Sequence, residues 1–250
     1  MSGLEILPRH KYRLDGREIP SVTTLIDRGC PKPALIQWAA ETSASYAVDH
    51  WQELSDAGVA ERLRRIEKAR FTERDRAAVK GQQVHELAWR LAHGERVDVP
   101  AQMAAPVDSY LRFVAEWEPR ELLLEAAVVH RRWWYAGRLD FIGSLADGLT
   151  WLLDFKTGKG VYAEAALQLA AYRYAEAYID ADGLERPLPS VDRVGVVHLT
   201  GEGYELLPID AGPEAFDAFL YVKQVAHFAE QGRDRWVDEP LAPPITEALA

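Results

Sequence analysis

Asp140, Asp154 and Lys156 are the side chains of this 250-residue chain best suited to chemistry. The run Asp154-Phe155-Lys156-Thr157-Gly158 closes an apolar stretch, Leu149-Thr150-Trp151-Leu152-Leu153, and follows Gly137-Arg138-Leu139-Asp140. Side chains alternate faces along a strand, so Asp154 and Lys156 share one side. Two carboxylates and one ammonium on a rigid sheet suit metal-dependent hydrolysis of a phosphodiester. The acids, with the Phe155 carbonyl as a third oxygen, offer hard ligands for one or two Mg²⁺ or Mn²⁺ ions. Lys156 adds positive charge beside an attacking water. Taken alone, acid–x–Lys is also a common surface ion pair, so the reading depends on the second acid reaching the same place.

That requirement constrains the strands. On the earlier strand Arg138, Asp140 and Ile142 share a side. A two-residue turn at Asp147-Gly148 sets Asp140 across from Phe155, on the wrong face. A three-residue loop, Ala146-Asp147-Gly148, sets it across from Asp154, and Gly148 stands where such a loop needs positive φ. The spacing therefore predicts the three-residue loop.

Around this pair the pattern predicts helices first. A hairpin is expected around Asp15-Gly16, and a short helix capped by Ser21 through Ile26. Further helices are expected over 33–50, 51–70, 74–93 and from Pro106 to 117. Strands follow over 122–130, 135–145 and 149–155. A helix over 162–179, apolar on nearly every side, belongs between layers. Strands over 191–199 and 204–209, a helix over 213–230 and an extended tail complete the chain. The expected fold class is α/β in a single domain over 1–250. It comprises a mostly helical section (20–118), an α/β core (119–232) and a tail (233–250).

Gln168 and Tyr172 lie one turn apart on the helix after the motif. A buried amide needs partners. Gln168 therefore serves either the active-site loop or a nucleotide, or it is a satisfied core amide. Thr157-Gly158-Lys159-Gly160 is a donor-rich turn able to touch phosphate. Trp133-Trp134-Tyr135 either stacks on bases or belongs to the core.

Composition bounds the rest. There are 29 basic and 39 acidic residues, a net charge of −10, which argues against a non-specific nucleic-acid coat but not against a nuclease. A basic stretch from Arg62 to Arg76 is interleaved with acids, and fits a solvated helix face or a DNA-facing one. Cys30 is the one cysteine, so disulfide frameworks and multi-thiolate metal sites are excluded and a reducing, cytoplasmic location is expected. Neither a signal peptide nor a membrane-spanning run is visible, so no membrane association is expected. No Walker A loop is present, so no ATP is expected.

Gly137-Arg138-Leu139-Asp140, Asp154-Phe155-Lys156-Thr157-Gly158 and Gln168-Leu169-Ala170-Ala171-Tyr172 together resemble the PD-(D/E)xK nuclease superfamily, in its RecB-like, phage-type exonuclease branch. Upstream, Ser21-Val22-Thr23-Thr24-Leu25-Ile26 and Leu35-Ile36-Gln37-Trp38-Ala39 are similar to the family's helical region. Gly81-Gln82-Gln83-Val84-His85 is similar to its Gly-x-x-x-His motif. The resemblance implies a restriction-endonuclease-like core: a central mixed sheet flanked by helices. It implies metal ligation by His85, Asp140 and Asp154, catalysis by Lys156, and support of the site or the nucleic acid by Gln168, Tyr172, Arg138 and Thr157. Glu125 matches an acid one strand earlier and fits an ion-pair partner equally well. The activity implied is Mg²⁺-dependent DNA exonuclease action in recombination, repair or replication, within a host cytoplasm. A recombination or replication protein and further copies of the chain are the implied partners. An iron–sulfur cluster, which one branch holds with four cysteines, is excluded by Cys30 standing alone. A non-catalytic nucleic-acid or protein-interaction module and a structure-specific endonuclease are the alternatives.

Overall fold

The computed structural model describes residues 3–8 and 11–241. Three short strands, β1 (Leu4–Leu7), β2 (Lys11–Leu14) and β3 (Arg17–Ile19), form an antiparallel sheet, with Asp15 and Gly16 at positive φ in the β2–β3 turn. Helices follow: α1 (Val22–Gly29), α2 (Pro33–Asp49), α3 (Trp51–Ser55), α4 (Val59–Ala92) and α5 (Ala101–Trp117). Ser21 caps α1, accepting from the Thr24 amide at 3.1 Å. The second half holds β4 (Arg120–His130), β5 (Tyr135–Ser144), β6 (Thr150–Lys156), α6 (Glu164–Arg173), β7 (Ala177–Ile179), β8 (Glu185–Pro187), β9 (Arg193–Leu199), β10 (Tyr204–Pro208), α7 (Pro213–Gln231) and α8 (Arg233–Trp236).

Strands β4 to β10 form one seven-stranded mixed sheet in the order β10-β9-β6-β5-β4-β7-β8. All neighbours are antiparallel except β6 and β9, which run parallel. Helices flank both faces. One core lies under α1, α6 and α7, with Leu25, Leu169 and Phe219 against Leu139, Ile142 and Leu152. The other lies under α4 and α5, with Val84, Val107 and Phe113 against Phe141, Leu153 and Phe155. Phe155 anchors the end of β6 there, its ring 5.3 Å from Tyr110 and 5.9 Å from Phe113. Burying such a ring is worth about 1.5–3 kcal/mol, enough to hold the chemistry-bearing end of β6 in place.

Four expectations are corrected. The helices expected over 51–70 and 74–93 are instead the short α3 and the continuous 34-residue α4. Nothing between residues 70 and 74 breaks a helix, and Phe71 is covered by the guanidinium groups of Arg70 and Arg74. α5 begins at Ala101, with Pro106 inside it; the ring has no N–H for the Gln102 carbonyl, a local cost offset by the burial of Met103, Val107 and Phe113 on the same helix. α6 ends at Arg173, and Ala177–Ile179 is a strand paired to β4. Its apolar character comes from sheet burial, which periodicity could not separate from helix burial. The tail expected to be extended from 233 starts with the one-turn α8, and residues 242–250 lie outside the described residues. No helix among the described residues is long and apolar enough to cross a membrane.

Candidate active site

The register of β5 against β6 runs Ser144↔Thr150, Gly143↔Trp151, Ile142↔Leu152 and Phe141↔Leu153. Leu145 also donates to the Leu149 carbonyl at 3.1 Å, which leaves Ala146, Asp147 and Gly148 as a three-residue loop with Gly148 at φ +78. Asp147 fixes the loop by accepting from the Leu149 amide and the Trp151 indole, each at 3.0 Å. Continued by one step, this register sets Asp140 across from Asp154, as the facing requirement predicts. The backbone ladder stops there. Asp140 Oδ2 accepts from the Phe155 amide at 2.9 Å, so a side chain satisfies an N–H that the parting strands leave open. The two carboxylates thus meet in the wedge where β5 leaves β6. The Phe155 backbone is thus tied to an acid through its N–H, and this bond does not involve its carbonyl, the third oxygen expected as a ligand.

Lys156 and Gln168 close around Asp154. The lysine Nζ lies 3.1 Å from Oδ1 and 2.8 Å from Oδ2, the second contact falling off a hydrogen-bonding direction, so Oδ2 is buried without a hydrogen bond. Gln168 Nε2 donates to Asp154 Oδ1 at 2.9 Å, while its Oε1 accepts from Lys156 at 3.3 Å. The same Nε2 donates to the Tyr172 hydroxyl at 3.5 Å. Gln168 is thus a satisfied amide whose partners are the candidate site residues Asp154 and Lys156. Tyr172 in turn lies on Gly137, where a Cβ would come within 2.6 Å of its ring. Glycine is therefore required at the head of the Gly-Arg-x-Asp segment so that the ring can support the amide.

The charges explain the electrostatics. A buried carboxylate, Asp154, and a half-buried one, Asp140, face one ammonium. Burial pushes the Asp140 carboxyl up to about 6, opposed by the hydrogen bond from the Phe155 amide. Burial also pushes Asp154 up to about 6, and the Asp140 charge adds to the effect. Burial works against the Lys156 ammonium, but the Asp154 carboxylate outweighs it and raises the lysine. Lys156 keeps 38% of its side chain exposed to the cleft, against 4% for Asp154. The ammonium is thus the face that this cluster turns outward.

Glu125 and Arg138 sit beside the pair. Glu125 is at φ +49 within β4, a conformation costly for a residue with a Cβ. Arg138 Nε holds both its carboxylate, at 2.8 Å, and its carbonyl, at 2.9 Å. Burial raises the Glu125 pKa, opposed by Arg138. Glu125 is therefore an ion-pair partner at the edge of the site, as one of its two sequence readings has it.

The cleft over these residues has a volume of about 1380 Å³, with α4 and α5 on one side and β4, β5, β6 and α6 at its floor. His85 reaches it from α4, edge-on to Phe155 at 5.9 Å between ring centroids. Burial lowers the His85 pKa, opposed by the Asp154 charge; burial thus favours the neutral imidazole, in which one ring nitrogen has a free lone pair. Thr157 lines the cleft too. Its Oγ1 lies 3.2 Å from where a Cβ on Gly81 would stand, so the glycine one turn before His85 lets α4 approach this loop. Trp133, Trp134 and Tyr135 are outside the cleft. Tyr135 is fully buried and donates to the Ala171 carbonyl at 2.8 Å, Trp133 packs on the first core, and Trp134 lies beneath Arg17. The base-stacking reading of that cluster is not what the structure provides. The basic stretch of α4 is largely self-paired: Arg64 and Arg65 with Glu61, Arg74 with Asp75, and Arg76 with Glu73.

Among the described residues, no three His, Cys, Asp or Glu side chains converge tightly enough to cage an ion by themselves. The donors that do meet are two carboxylates in excess over one ammonium, one with an oxygen lacking a hydrogen bond, near a neutral imidazole. This suits a hard cation held by one or two carboxylates and completed by substrate oxygens and water, the usual manner of Mg²⁺.

Sequence reasoning missed three residues here. Tyr12 and Tyr110 line the cleft, and burial pushes the Tyr110 hydroxyl up to about 12. His198, buried in β9 beside Lys156, engages the Gly158 carbonyl at 2.9 Å through Nε2. An isolated histidine ending the run Val194-Gly195-Val196-Val197 was the available signal for it. No protein-family model matches the chain, and no curated protein matches it. Among solved structures, one described as "Crystal structure of SSO0001" is similar at 12% identity and a TM-score of 0.34, covering 84% of this chain and 75% of that one.

Proposed function

We propose that this chain is a divalent-metal-dependent DNA nuclease of the PD-(D/E)xK superfamily with a restriction-endonuclease-like core, acting as an exonuclease in recombination, repair or replication. The observation that carries the reading is the wedge between β5 and β6, where Asp140 and Asp154 meet with Lys156 at the floor of a cleft. The fold supplies a mixed sheet with helices on both faces, as such a core requires. Asp140 and Asp154 would hold Mg²⁺ or Mn²⁺, with His85 as a further donor from α4. Such an ion, when bound, supplies Lewis acidity toward a phosphate oxygen and lowers the pKa of water.

The chain's own groups do the rest. Lys156, facing the cleft, places an ammonium where negative charge grows on the phosphoryl oxygens. Gln168 holds that ammonium and Asp154 in one orientation, and Tyr172 on Gly137 holds Gln168. Arg138, whose η nitrogens make no hydrogen bond among the described residues, offers donors to a neighbouring phosphate.

The test is digestion of end-labelled single- and double-stranded DNA with Mg²⁺, Mn²⁺ or chelator, beside Asp154→Ala and Lys156→Ala. Metal-dependent release of mononucleotides, lost in both variants, is the expected result. Cutting of circular DNA at the same rate would replace the exonuclease with an endonuclease. Tight DNA binding without cleavage in any metal would refute the enzymatic reading.

A further inference from the structure

A second groove, of about 600 Å³, opens off the cleft between α4 and α5 and shares Lys80 and Gln102 with it. Its α4 wall is a single helical face. Thr72, Arg76, Val79, Lys80 and Gln83 recur at spacings of three to four residues, over roughly 16 Å at 1.5 Å per residue. Val79 is 54% exposed beside the buried Met103, an apolar floor open to solvent. Lys80 makes no ion pair, and the amides of Gln83 and Gln102 make no hydrogen bond, among the described residues. Asp75 also lines this wall and is paired to Arg74, and Arg76 is paired to Glu73, which leaves Lys80 as the cation of the lining without an ion pair among the described residues.

We propose that this groove carries the unpaired strand of the DNA substrate away from the reacting phosphate, with bases over Val79 and Met103 and the backbone on Lys80. The inference rests on the nuclease reading and names the form of its substrate. Three observations favour an unpaired strand. The groove is continuous with the cleft. Its unpaired cation and amides lie beside the exposed Val79 side chain, an apolar surface on which a base can rest. The carboxylate at the cleft floor, Asp154, is only 3% exposed. A flexible strand can descend to that floor, whereas a duplex presents its backbone on a stiff convex cylinder. At ~3.4 Å per nucleotide the α4 face accommodates about five stacked nucleotides beyond the site.

Binding is measured by fluorescence anisotropy with labelled dT4, dT8 and dT12 and a blunt hairpin duplex, with Ca²⁺ replacing Mg²⁺ to prevent cleavage. The proteins are wild type, Val79→Asp, and the double variant Lys80→Ala/Gln102→Ala. All three positions are exposed, so melting temperatures are expected to be unchanged. Wild-type affinity is expected to rise from dT4 to dT12. Both variants should lose about tenfold on dT12 and little on dT4. The Lys80 substitution should also lower the salt slope for dT12 by about 0.7. Wild-type affinity for dT12 in the variants, or duplex bound as tightly as dT12, overturns the proposal. If the wild type cleaves DNA yet the groove variants bind normally, the groove alone fails. If the wild type neither binds nor cleaves any DNA, the nuclease reading fails with it.

Discussion

Replacing Asp140 with asparagine should make the metal-free protein more stable while abolishing the cleavage proposed for it. The residue is lodged between β5 and β6 with its Oδ2 on the Phe155 amide, and an asparagine oxygen can accept the same bond. What changes is charge. The folded carboxyl is raised from an ordinary 3.8 to about 6, chiefly by burial. At about 1.4 kcal/mol per unit, that shift corresponds to about 3 kcal/mol against the ionised folded state. Cleft water reaches the half-buried side chain, so the effective figure is on the order of 1–2 kcal/mol. The sign follows from linkage. The raised carboxyl carries no penalty below pH 3.8, gains one as pH climbs toward 6, and carries it in full above that. The advantage of Asp140→Asn should therefore be absent near pH 3.5 and complete at pH 8. For a chain of this size it should amount to a melting temperature roughly 2–8 °C higher. The assay is thermal unfolding in chelator at pH 8 and in steps down to pH 3.5. Adding Mg²⁺ or Mn²⁺ at pH 8 should raise the wild type and leave the variant nearly unmoved. A variant that melts at or below the wild type at pH 8 in chelator would refute the reasoning, as would an advantage that does not change with pH.

Gly137→Ala should cost about 1–3 kcal/mol in urea unfolding, because its methyl would meet the Tyr172 ring at 2.6 Å and Val22 at 3.3 Å. Its turnover should fall further than its stability explains, since Tyr172 supports Gln168. Gln168→Leu removes a donor to Asp154 and an acceptor from Lys156, so kcat should drop at least tenfold with KM little changed. A proportionate rise in KM would instead make Gln168 a substrate contact.

The register was legible because one constraint, that Asp140 and Asp154 share a face, leaves one loop length, and Gly148 satisfies it. Asp154, Lys156 and Gln168 were legible because charged or amide groups inside apolar runs must be reconciled with burial. The continuity of α4 was hidden because its exposed face around residues 70–74 carries no apolar stripe. Ala177–Ile179 was hidden because burial on both sides looks alike for helix and strand over three residues. Tyr12 and Tyr110 were hidden for a different reason: they come to the cleft from elements distant in sequence, and no local pattern sets them apart from core residues, whereas His198 stood out only as a lone imidazole at the end of an apolar run.

The wedge itself has a cause in the sheet. On β4, Leu123 and Ala126 both pack into the first core, and so do their partners on β5, Ile142 and Leu139. Strict alternation would send residues three apart to opposite faces. Between them Leu124 and Phe141 pack into the second core, so both strands lose half a pleat at the step between the pairs Leu124↔Phe141 and Ala126↔Leu139, where Glu125 and Asp140 stand. Glu125 absorbs the change at positive φ, and Arg138 holds it there through both carbonyl and carboxylate. The re-aimed β5 no longer ladders onto β6 beyond Phe141, so the Phe155 amide is left for a side chain and Asp140 takes it. The backbone strain at Glu125 and the meeting of two acids are thus one structural event. On this account Glu125 and Arg138 shape the wedge by keeping the sheet split.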